Sequence, residues 1–410
     1  MSTDIVRSVK SLIRAHEKPK KEVYLDSENS GLIFPEVLEE MIYRYKESGY
    51  GHPSITHKIG WESYEAIYET TSKLADFIGA SIEEITYTHS GTESNNLAIL
   101  GLAKANKTGR KKIIISNIEH LSVIFTVEEL RRSGYQVIKL PVNSEGFVDP
   151  EVLERELDKD TFLVSISSVN HEIGVRQDIK TLVETAKDKD KEIIFHTDAA
   201  DAIGKIPFDV GDLNVDLASF SGHKVYGPKG VGGLYIKRGS EIEGILYGQL
   251  STQKLWPGVE NVPAISGFGK AIEIIHNNFD DYMIKTARMR DMLIDGILSK
   301  VDHTLLNGPK GDKRAPDNVN ISFLYCEGEA VTLELSMRGI YVASGSACTS
   351  RILEPSHVMR AIGRRYEAAH GSILMKVTPM HQEEEIKYVI DQIPTTIERI
   401  RSMSPIKGGS

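Results

Sequence analysis

The sequence has few cysteines, no long apolar run and no excess of positive charge. Two cysteines in 410 residues exclude a disulfide framework and fit a reducing compartment such as the cytoplasm. No stretch approaches the roughly 20 apolar residues that a membrane-spanning helix needs. The formal net charge of -9 gives no support to nucleic-acid or polyanion binding. We therefore expect a cytoplasmic protein that binds neither nucleic acid nor membrane.

The remaining composition is that of a folded protein. With 40% hydrophobic and 26% charged residues, the chain is long enough for two or more domains around substantial cores. Apolar residues at helical spacing predict an amphipathic extension over residues 1–22, and a basic targeting helix is the alternative. Residues 406–410 are predicted to form a tail.

Short β-branched segments alternate with longer amphipathic segments from about Tyr24 to Tyr235. This alternation predicts a mostly parallel, seven-stranded sheet wrapped by helices, in which ligands bind at the carboxyl ends of the strands. A long amphipathic stretch from Gly267 to about Leu298 leaves this layer, and a smaller α/β unit follows it. The predicted fold class is therefore α/β, with a large domain over 23–275 and a small domain over 276–405.

The two cysteines have different surroundings. Cys348 lies in Ser344-Gly345-Ser346-Ala347-Cys348-Thr349-Ser350, a run of small residues that makes a poor core strand. Cys326 follows Phe323-Leu324-Tyr325, the apolar context of a buried thiol. We interpret Cys326 as a core residue and Cys348 as a reactive thiol in a loop.

Three segments at the ends of predicted strands carry polar residues that a scaffold would not need. Ser90-Gly91-Thr92-Glu93-Ser94 opens a helix, whose free N–H groups suit a phosphate, although the same residues also form an ordinary N-cap. Glu119-His120 follows another strand, where a lone histidine is usually structural. Asp198 ends a third apolar run, where a carboxylate is costly unless it is paired.

The fourth segment, Ser219 to Gly230, is the most specific. It contains Ser221-Gly222-His223-Lys224 at the end of a strand, where desolvation of the lysine amine favours Schiff-base formation, while a solvated surface lysine is the alternative. An amine, the carboxylate of Asp198, a phosphate-binding turn and a histidine are the parts that a pyridoxal 5'-phosphate site requires.

These segments resemble the fold-type I, class V aminotransferases, and within them the NifS/IscS-type cysteine desulfurases. The resemblance runs from about Val23 to Pro405 and is most specific at 219–230, at 344–350 and at Leu353-Glu354-Pro355-Ser356. It implies a homodimeric enzyme that converts L-cysteine to L-alanine. The sulfur would be left as a persulfide for a sulfur acceptor or an iron–sulfur scaffold protein.

The resemblance implies a role for each matching residue. Lys224 would hold the cofactor and move the Cα proton, and Asp198 would bond the pyridine nitrogen. His120 would stack on the ring and take part in proton transfer. Cys348 would attack the substrate sulfur and carry the persulfide. The phosphate would be held by Gly91, Thr92, Ser221 and His223.

Other residues depart from the family pattern around the cofactor and the substrate. His171 and Asp201 stand where relatives carry Asn and Gln, and we predict that they form a charged pair facing the cofactor's phenolic oxygen. Leu374 replaces the arginine that binds the substrate carboxylate, and Lys376, two residues further along the strand, is predicted to be a weaker substitute. Asn29 belongs to a rewritten segment that lines the substrate side in relatives.

These departures keep two alternatives open. The first is a class V lyase or aminotransferase that uses the same cofactor on a different amino acid. The second is a non-catalytic sulfur relay or scaffold that receives sulfur on Cys348 from a partner.

Overall fold

The computed structural model of the protein describes residue 19 and residues 21–249, 251–345 and 355–403. Most of the predicted N-terminal extension and the predicted tail lie outside these residues. The chain forms two compact units. The large unit consists of Ser30–Ile284 and Gly308–Pro316, and the small unit consists of Lys285–Asn307, the segment that ends at Asn29 and the segment that begins at Asp317.

The segment Gly308–Pro316 belongs to the large unit because its backbone bonds there. Arg314 forms an isolated β-bridge with Val175, and the Ala315 N–H donates to the Gly174 carbonyl at 2.7 Å. Our prediction drew one boundary, between residues 275 and 276. In the structure the chain crosses between the units after Asn29, Ile284, Asn307 and Pro316.

Strands and helices alternate along the described residues of the chain. In chain order the strands are β1 (Val23–Tyr24), β2 (Ile85–Thr88), β3 (Lys112–Ser116), β4 (Gln136–Leu140), β5 (Thr161–Ser165), β6 (Ile194–Asp198), β7 (Leu217–Ser221), β8 (Gly232–Ile236), β9 (Thr304–Leu306), β10 (Asn318–Phe323), β11 (Ile340–Tyr341), β12 (Ala343–Ser344) and β13 (Ser372–Lys376). The helices are Pro35–Lys46, Lys58–Ile78, Gly91–Ala105, Leu121–Arg132, Pro150–Glu156, Ile179–Lys189, Val210–Leu213, Val262–Asn277, Phe279–Lys300, Gly328–Met337, His357–Ala361, Tyr366–His370 and Glu383–Met403.

Seven strands of the large unit form one sheet in the order β2-β8-β7-β6-β5-β3-β4. Strands β7, β6, β5, β3 and β4 pair in parallel, and β8 runs antiparallel to both β2 and β7. This confirms the predicted mostly parallel sheet. Strand β3 is buried at every position, which is the continuous apolar pattern of a strand covered on both faces. The carboxyl ends of β3, β5, β6 and β7 therefore lie along one edge, where ligands bind in such sheets.

The predicted amphipathic stretch from Gly267 to Leu298 is two helices. The first, Val262–Asn277, is capped by the Asn261 side chain, and the second begins at Phe279. Asn278 separates them, and its side-chain amide donates to the Ile274 carbonyl at 2.8 Å. The hydrophobic periodicity missed this break because apolar positions continue through both helices.

The small unit is built on a four-stranded antiparallel sheet in the order β12-β13-β10-β9, and β1 pairs in parallel with β11. Its core contains apolar residues of β10, β13 and the long helices Phe279–Lys300 and Glu383–Met403. Cys326 is part of this core, which confirms our interpretation of that thiol. Within the described ranges, no helix has the length and apolar character needed to cross a membrane.

Candidate active site

The helix Gly91–Ala105 begins directly after β2, at the same edge of the large sheet as the end of β7. The Ser90 side chain accepts a hydrogen bond from the Glu93 N–H, so this start is a capped helix. A Cβ atom on Gly91 would lie 3.2 Å from Cβ of Ser221, so glycine permits the close approach of the two segments. Gly91, Thr92 and Ser221, which we predicted as phosphate-binding residues, thus belong to one neighbourhood at a helix N-terminus.

A chain of hydrogen bonds links His120 to Asp198. The Asn95 amide donates to Oδ2 of Asp198 at 2.7 Å and to the Ser122 hydroxyl at 2.9 Å. That hydroxyl lies 2.7 Å from Nδ1 of His120. The residues come from three separate elements, and Asn95 and Asp198 are buried. The geometry therefore couples the predicted ring-stacking histidine to the predicted partner of the pyridine nitrogen.

The proton of the neutral His120 ring is fixed by these bonds. The Ser122 backbone N–H donates to Nδ1 at 3.1 Å, so Nδ1 acts as an acceptor. A neutral imidazole whose Nδ1 accepts must carry its proton on Nε2. His120 can therefore donate from Nε2 while Ser122 fixes the orientation of the ring.

Burial changes the proton equilibrium of the carboxyl groups beside His120. Burial raises the pKa of Asp198, and the nearby His120 partly opposes this shift. Glu119 is fully buried, and burial raises its pKa from 4.5 to about 8, although its oxygens accept from the Ser116 hydroxyl and the Ser167 N–H. Burial therefore favours the protonated form of Glu119, which adds no second negative charge next to Asp198.

Lys224 lies in the short 3-10 turn Gly222–Val225 that follows β7. Its Nζ is 3.1 Å from Oδ2 of Asp201, and Nζ of Lys205 is 3.0 Å from Oδ1 of the same carboxylate. The Lys224 side chain is 10% exposed, against 5% for Asp201 and 4% for Lys205. The structure therefore brings the predicted imine-forming lysine into a buried cluster with two further charged groups.

His223 is held as a neutral ring beside Lys224. Its Nδ1 accepts from the Gly31 N–H at 3.3 Å, and burial, aided by the charge of Lys224, lowers the pKa of His223 from 6.5 to about 4. A Cβ on Gly31 would lie 1.8 Å from the His223 carbonyl oxygen. Only glycine fits this close approach.

His171 contacts the ring of His120 edge to face, with 5.1 Å between the ring centroids. Its Nε2 is 3.6 Å from Oε1 of Glu172. The proposed charge pairing of His171 with Asp201 stays a prediction.

Lys376 and Asn29, the predicted substrate-binding residues, belong to the small unit. Nζ of Lys376 lies 3.1 Å from Oε2 of Glu28 and 3.4 Å from Oδ2 of Asp317, and the lysine side chain is 2% exposed. The Asn29 amide donates to Oδ1 of Asp26 at 2.6 Å. Lys376 is thus already compensated by carboxylates of its own chain, and its role toward a substrate carboxylate stays a prediction. Cys348 lies outside the described residues.

Sequence reasoning missed four members of the site, namely Asn95, Ser122, Lys205 and Glu119. Asn95 lies three residues after Thr92, and Lys205 lies four residues after Asp201. In each case the later residue is about one turn further along and on the same side. A search at i+3 and i+4 from Thr92 and Asp201 would have found both. Ser122 and Glu119 flank His120 and gave no signal apart from that adjacency. No group of three or more potential metal ligands occurs in the part of the chain that the structure describes.

Known proteins are similar to this protein in sequence and in structure over nearly the whole chain. Residues 23–389 match the family described as aminotransferase class-V. The protein is 43% identical to "Cysteine desulfurase IscS" of Dictyoglomus turgidum, over 95% of this chain and 98% of that protein. A solved structure of a NifS-like protein superposes with a TM-score of 0.86 at 34% identity, covering 92% of this chain and 100% of the other. A structure of SspA in complex with cysteine superposes with a TM-score of 0.73 at 30% identity, covering 87% and 99%.

The matches confirm the resemblance inferred from the sequence motifs. They span both units, and the segments that carry Thr92, His120, Asp198 and Lys224 all fall within the matched range. The chain belongs to the class-V aminotransferase family, in the group of the IscS and NifS-like proteins.

Proposed function

We propose that the protein is a pyridoxal 5'-phosphate-dependent cysteine desulfurase, which converts L-cysteine to L-alanine and receives the sulfur as a persulfide on Cys348. One observation carries the proposal: Lys224 follows β7 and Asp198 ends the neighbouring β6, while Asn95 and Ser122 connect Asp198 to His120. The names of the relatives, cysteine desulfurase IscS among them, support the choice of substrate. The persulfide would serve a sulfur acceptor or an iron–sulfur scaffold protein in the cytoplasm.

The residues fit the cofactor. Asp198 is a buried carboxylate that keeps hydrogen bonds from Asn95 and from the Ala200 N–H at 3.0 Å, as a partner for a pyridine nitrogen should. The helix that begins at Gly91 offers backbone N–H groups to a phosphate, and glycine at this position lets Ser221 approach closely. The cofactor, when bound, supplies an electron sink that stabilises negative charge at the substrate Cα. The proposed holding set is Gly91, Thr92, His120, His171, Asp198, Asp201, Ser221, His223 and Lys224.

The protein's own side chains would then handle the protons. Lys224 would hold the cofactor and move the Cα proton of the substrate. His120 carries a proton on Nε2 and would exchange it with a reacting group, since Nδ1 is occupied by Ser122. The Cys348 thiolate would attack the substrate sulfur, forming an S–S bond as the C–S bond breaks, and Cβ of the substrate would keep that electron pair and take up a proton to become the methyl group of alanine.

The test begins with the purified protein and its visible absorption. We expect an absorption band of the lysine-bound cofactor that is lost in Lys224→Ala, and formation of alanine and sulfide when L-cysteine and a reductant are added. Cys348→Ser should keep the band and lose persulfide formation. Absence of alanine in a preparation that shows the band would refute the desulfurase activity while leaving cofactor binding intact.

A second candidate is a class V lyase or aminotransferase acting on another amino acid. Leu374 favours it, because this buried position carries no guanidinium for a substrate carboxylate. Lys376, the nearest basic residue on the same strand, contacts Glu28 and Asp317. A panel of amino acids mixed with the loaded protein distinguishes the two functions, since only the true substrate should change the absorption spectrum quickly. A sulfur relay without cofactor chemistry would show no band at all.

We further propose that the protein is a homodimer. The helix Lys58–Ile78 exposes Trp61, Tyr64 and Tyr68 at spacings of three and four residues, which forms one aromatic stripe, and these side chains are 54%, 40% and 52% exposed. Exposed aromatic stripes of this kind mark protein interfaces. Trp61→Glu should lower the mass measured by light scattering by about half; a wild-type mass of one chain would contradict the proposal.

A further inference from the structure

We propose that Asp201 and Lys205 act as one positioning pair, which sets the pH at which the Lys224 amine loses its proton and becomes able to bond a carbonyl cofactor. This inference rests on the proposed role of Lys224. Its starting point is the geometry of the cluster, in which one carboxylate oxygen contacts each lysine, at 3.0 Å and 3.1 Å.

The charge balance of the cluster explains why two residues are needed. An aspartate alone beside Lys224 would favour the ammonium form, and an opposite charge at this range changes a proton equilibrium by about tenfold to a thousandfold. Lys205 reduces this effect, because its ammonium binds the same carboxylate and repels the charge on Lys224. Asp201 and Lys205 together carry no net charge. Asp201 thus stands where relatives carry a neutral glutamine, and it forms with Lys205 a pair of opposite charges that can be removed separately.

The burial of the three side chains agrees with the proposal that Asp201 and Lys205 position Lys224. Asp201 and Lys205 are both buried, and they lie four residues apart on one tight turn after β6. That turn requires glycine at position 204, where φ is +73° and a Cβ would meet Ile275 at 3.0 Å. Lys224 comes from a different segment and is the most exposed of the three side chains. The pair is therefore built into the scaffold, and Lys224 is the member that reaches toward ligands.

The chemistry depends on this proton. Only a neutral amine could bond to the carbonyl of such a cofactor: the Lys224 ammonium would first release one proton to bulk water, its lone pair would bond to carbon, and the two remaining N–H protons would leave with the carbonyl oxygen as water. Among the residues that the structure describes, the charged or titratable groups around the cluster include Asp198, His120, His171, His223 and Lys229. They are unchanged in the variants below, so differences between variants report on the pair itself.

The test uses the full-length protein freed of cofactor. Lys224 is labelled with acetic anhydride across a range of pH, and the labelled fraction is read by peptide mass spectrometry. Asp201→Asn removes the shared carboxylate and keeps the positive charge of Lys205 near Lys224, so labelling of Lys224 should become about tenfold faster at pH 7.5. Lys205→Gln removes the ammonium that shares the carboxylate with Lys224, so labelling should become slower by a similar factor. A purely structural role would move both variants in the same direction.

The exposed pair Lys180–Asp212, with Nζ and Oδ1 2.6 Å apart, supplies the control. Asp212→Asn should leave the labelling of Lys224 unchanged. Rates for Asp201→Asn and Lys205→Gln that stay within twofold of wild type, or that change in the same direction, would overturn the proposal. Where Asp201→Asn fails to fold by circular dichroism, Lys205→Gln decides alone by the sign of its change.

A second readout uses the loaded protein. The pH midpoint for appearance of the lysine-bound cofactor band should fall in Asp201→Asn and rise in Lys205→Gln. The labelling experiment needs neither cofactor nor cysteine, so it can support the pair even where the desulfurase assay fails. Conversely, unchanged labelling in a protein that binds cofactor and produces alanine would reject only this inference.

Discussion

Two buried lysines, Lys224 in the large unit and Lys376 in the small unit, are compensated in opposite ways. At Lys224 one carboxylate, that of Asp201, contacts two ammonium groups. At Lys376 one ammonium contacts two carboxylates, those of Glu28 and Asp317. The first arrangement leaves a lysine that shares its counter-charge and is 10% exposed; the second leaves a lysine that is 2% exposed. Reactivity suits the first and a fixed structural charge suits the second.

The largest effect on stability is expected when Lys376 is replaced. Lys376→Met removes the ammonium and leaves two buried carboxylates next to each other, so we expect the free energy of unfolding to fall by about 3–5 kcal/mol. Urea unfolding followed by circular dichroism measures it. The triple variant Lys376→Met, Glu28→Gln, Asp317→Asn removes all three charges and should recover most of the loss. A loss below about 1 kcal/mol in the single variant would mean that the cluster is not a buried ion group.

Glu119 extends the comparison from buried lysines to a buried acid, which accepts hydrogen bonds from a hydroxyl group and a backbone N–H. Its folded-state pKa of about 8 exceeds the ordinary 4.5, so the folded protein holds a proton that the unfolded chain has released. Stability from this group is complete below pH 4.5 and is lost as the pH rises toward 8.

Glu119→Gln removes this dependence. Relative to the variant, the wild-type free energy of unfolding should fall with rising pH by up to about 1.4 kcal/mol per pH unit. Urea titrations of both proteins at several values between pH 5 and pH 8 measure the difference. Parallel pH profiles would show that Glu119 ionises at an ordinary pH.

A smaller effect is expected when the Lys376 cluster keeps one of its acids. Glu28→Gln retains Asp317 beside the ammonium, and a single charged partner satisfies it, so we expect a loss of about 1 kcal/mol. The measurement is again the urea midpoint, with Asp317→Asn as the matched variant. If Glu28→Gln were as costly as Lys376→Met, Asp317 would contribute nothing to the compensation.

The smallest effect is expected at the solvent-exposed pair. Lys180 and Asp212 have side chains that are 50% and 65% exposed, so water screens their attraction. Asp212→Asn should leave the unfolding midpoint within experimental error of wild type. A clear loss of stability there would mean that the contrast between buried and exposed pairs is not what separates these lysines.

Much of the fold could be predicted because local patterns carry it. The β-branched segments predict buried strands, and β3 and β5 are strands that are buried at every position. The break at Asn278 could not be found, since one turn without a change in periodicity leaves no trace in the pattern. The motif residues Asp198 and Lys224 were accessible because strand ends with costly polar groups stand out. Asn95 was missed, because an asparagine within a helix looks ordinary unless its position one turn after Thr92 is considered.

The sequence by itself determined the family, the fold class and the chemical type of the site, because motif residues and apolar periodicity are properties of short segments. The tertiary structure decided how the charges are matched. Asp201 and Lys205 lie on one segment and Lys224 on another, and only folding brings Nζ of Lys224 within 3.1 Å of the Asp201 carboxylate. Lys376 likewise contacts Glu28, although the two residues lie near opposite ends of the chain. Charge compensation acts through distance and burial in space, and neither quantity is fixed by position along the chain.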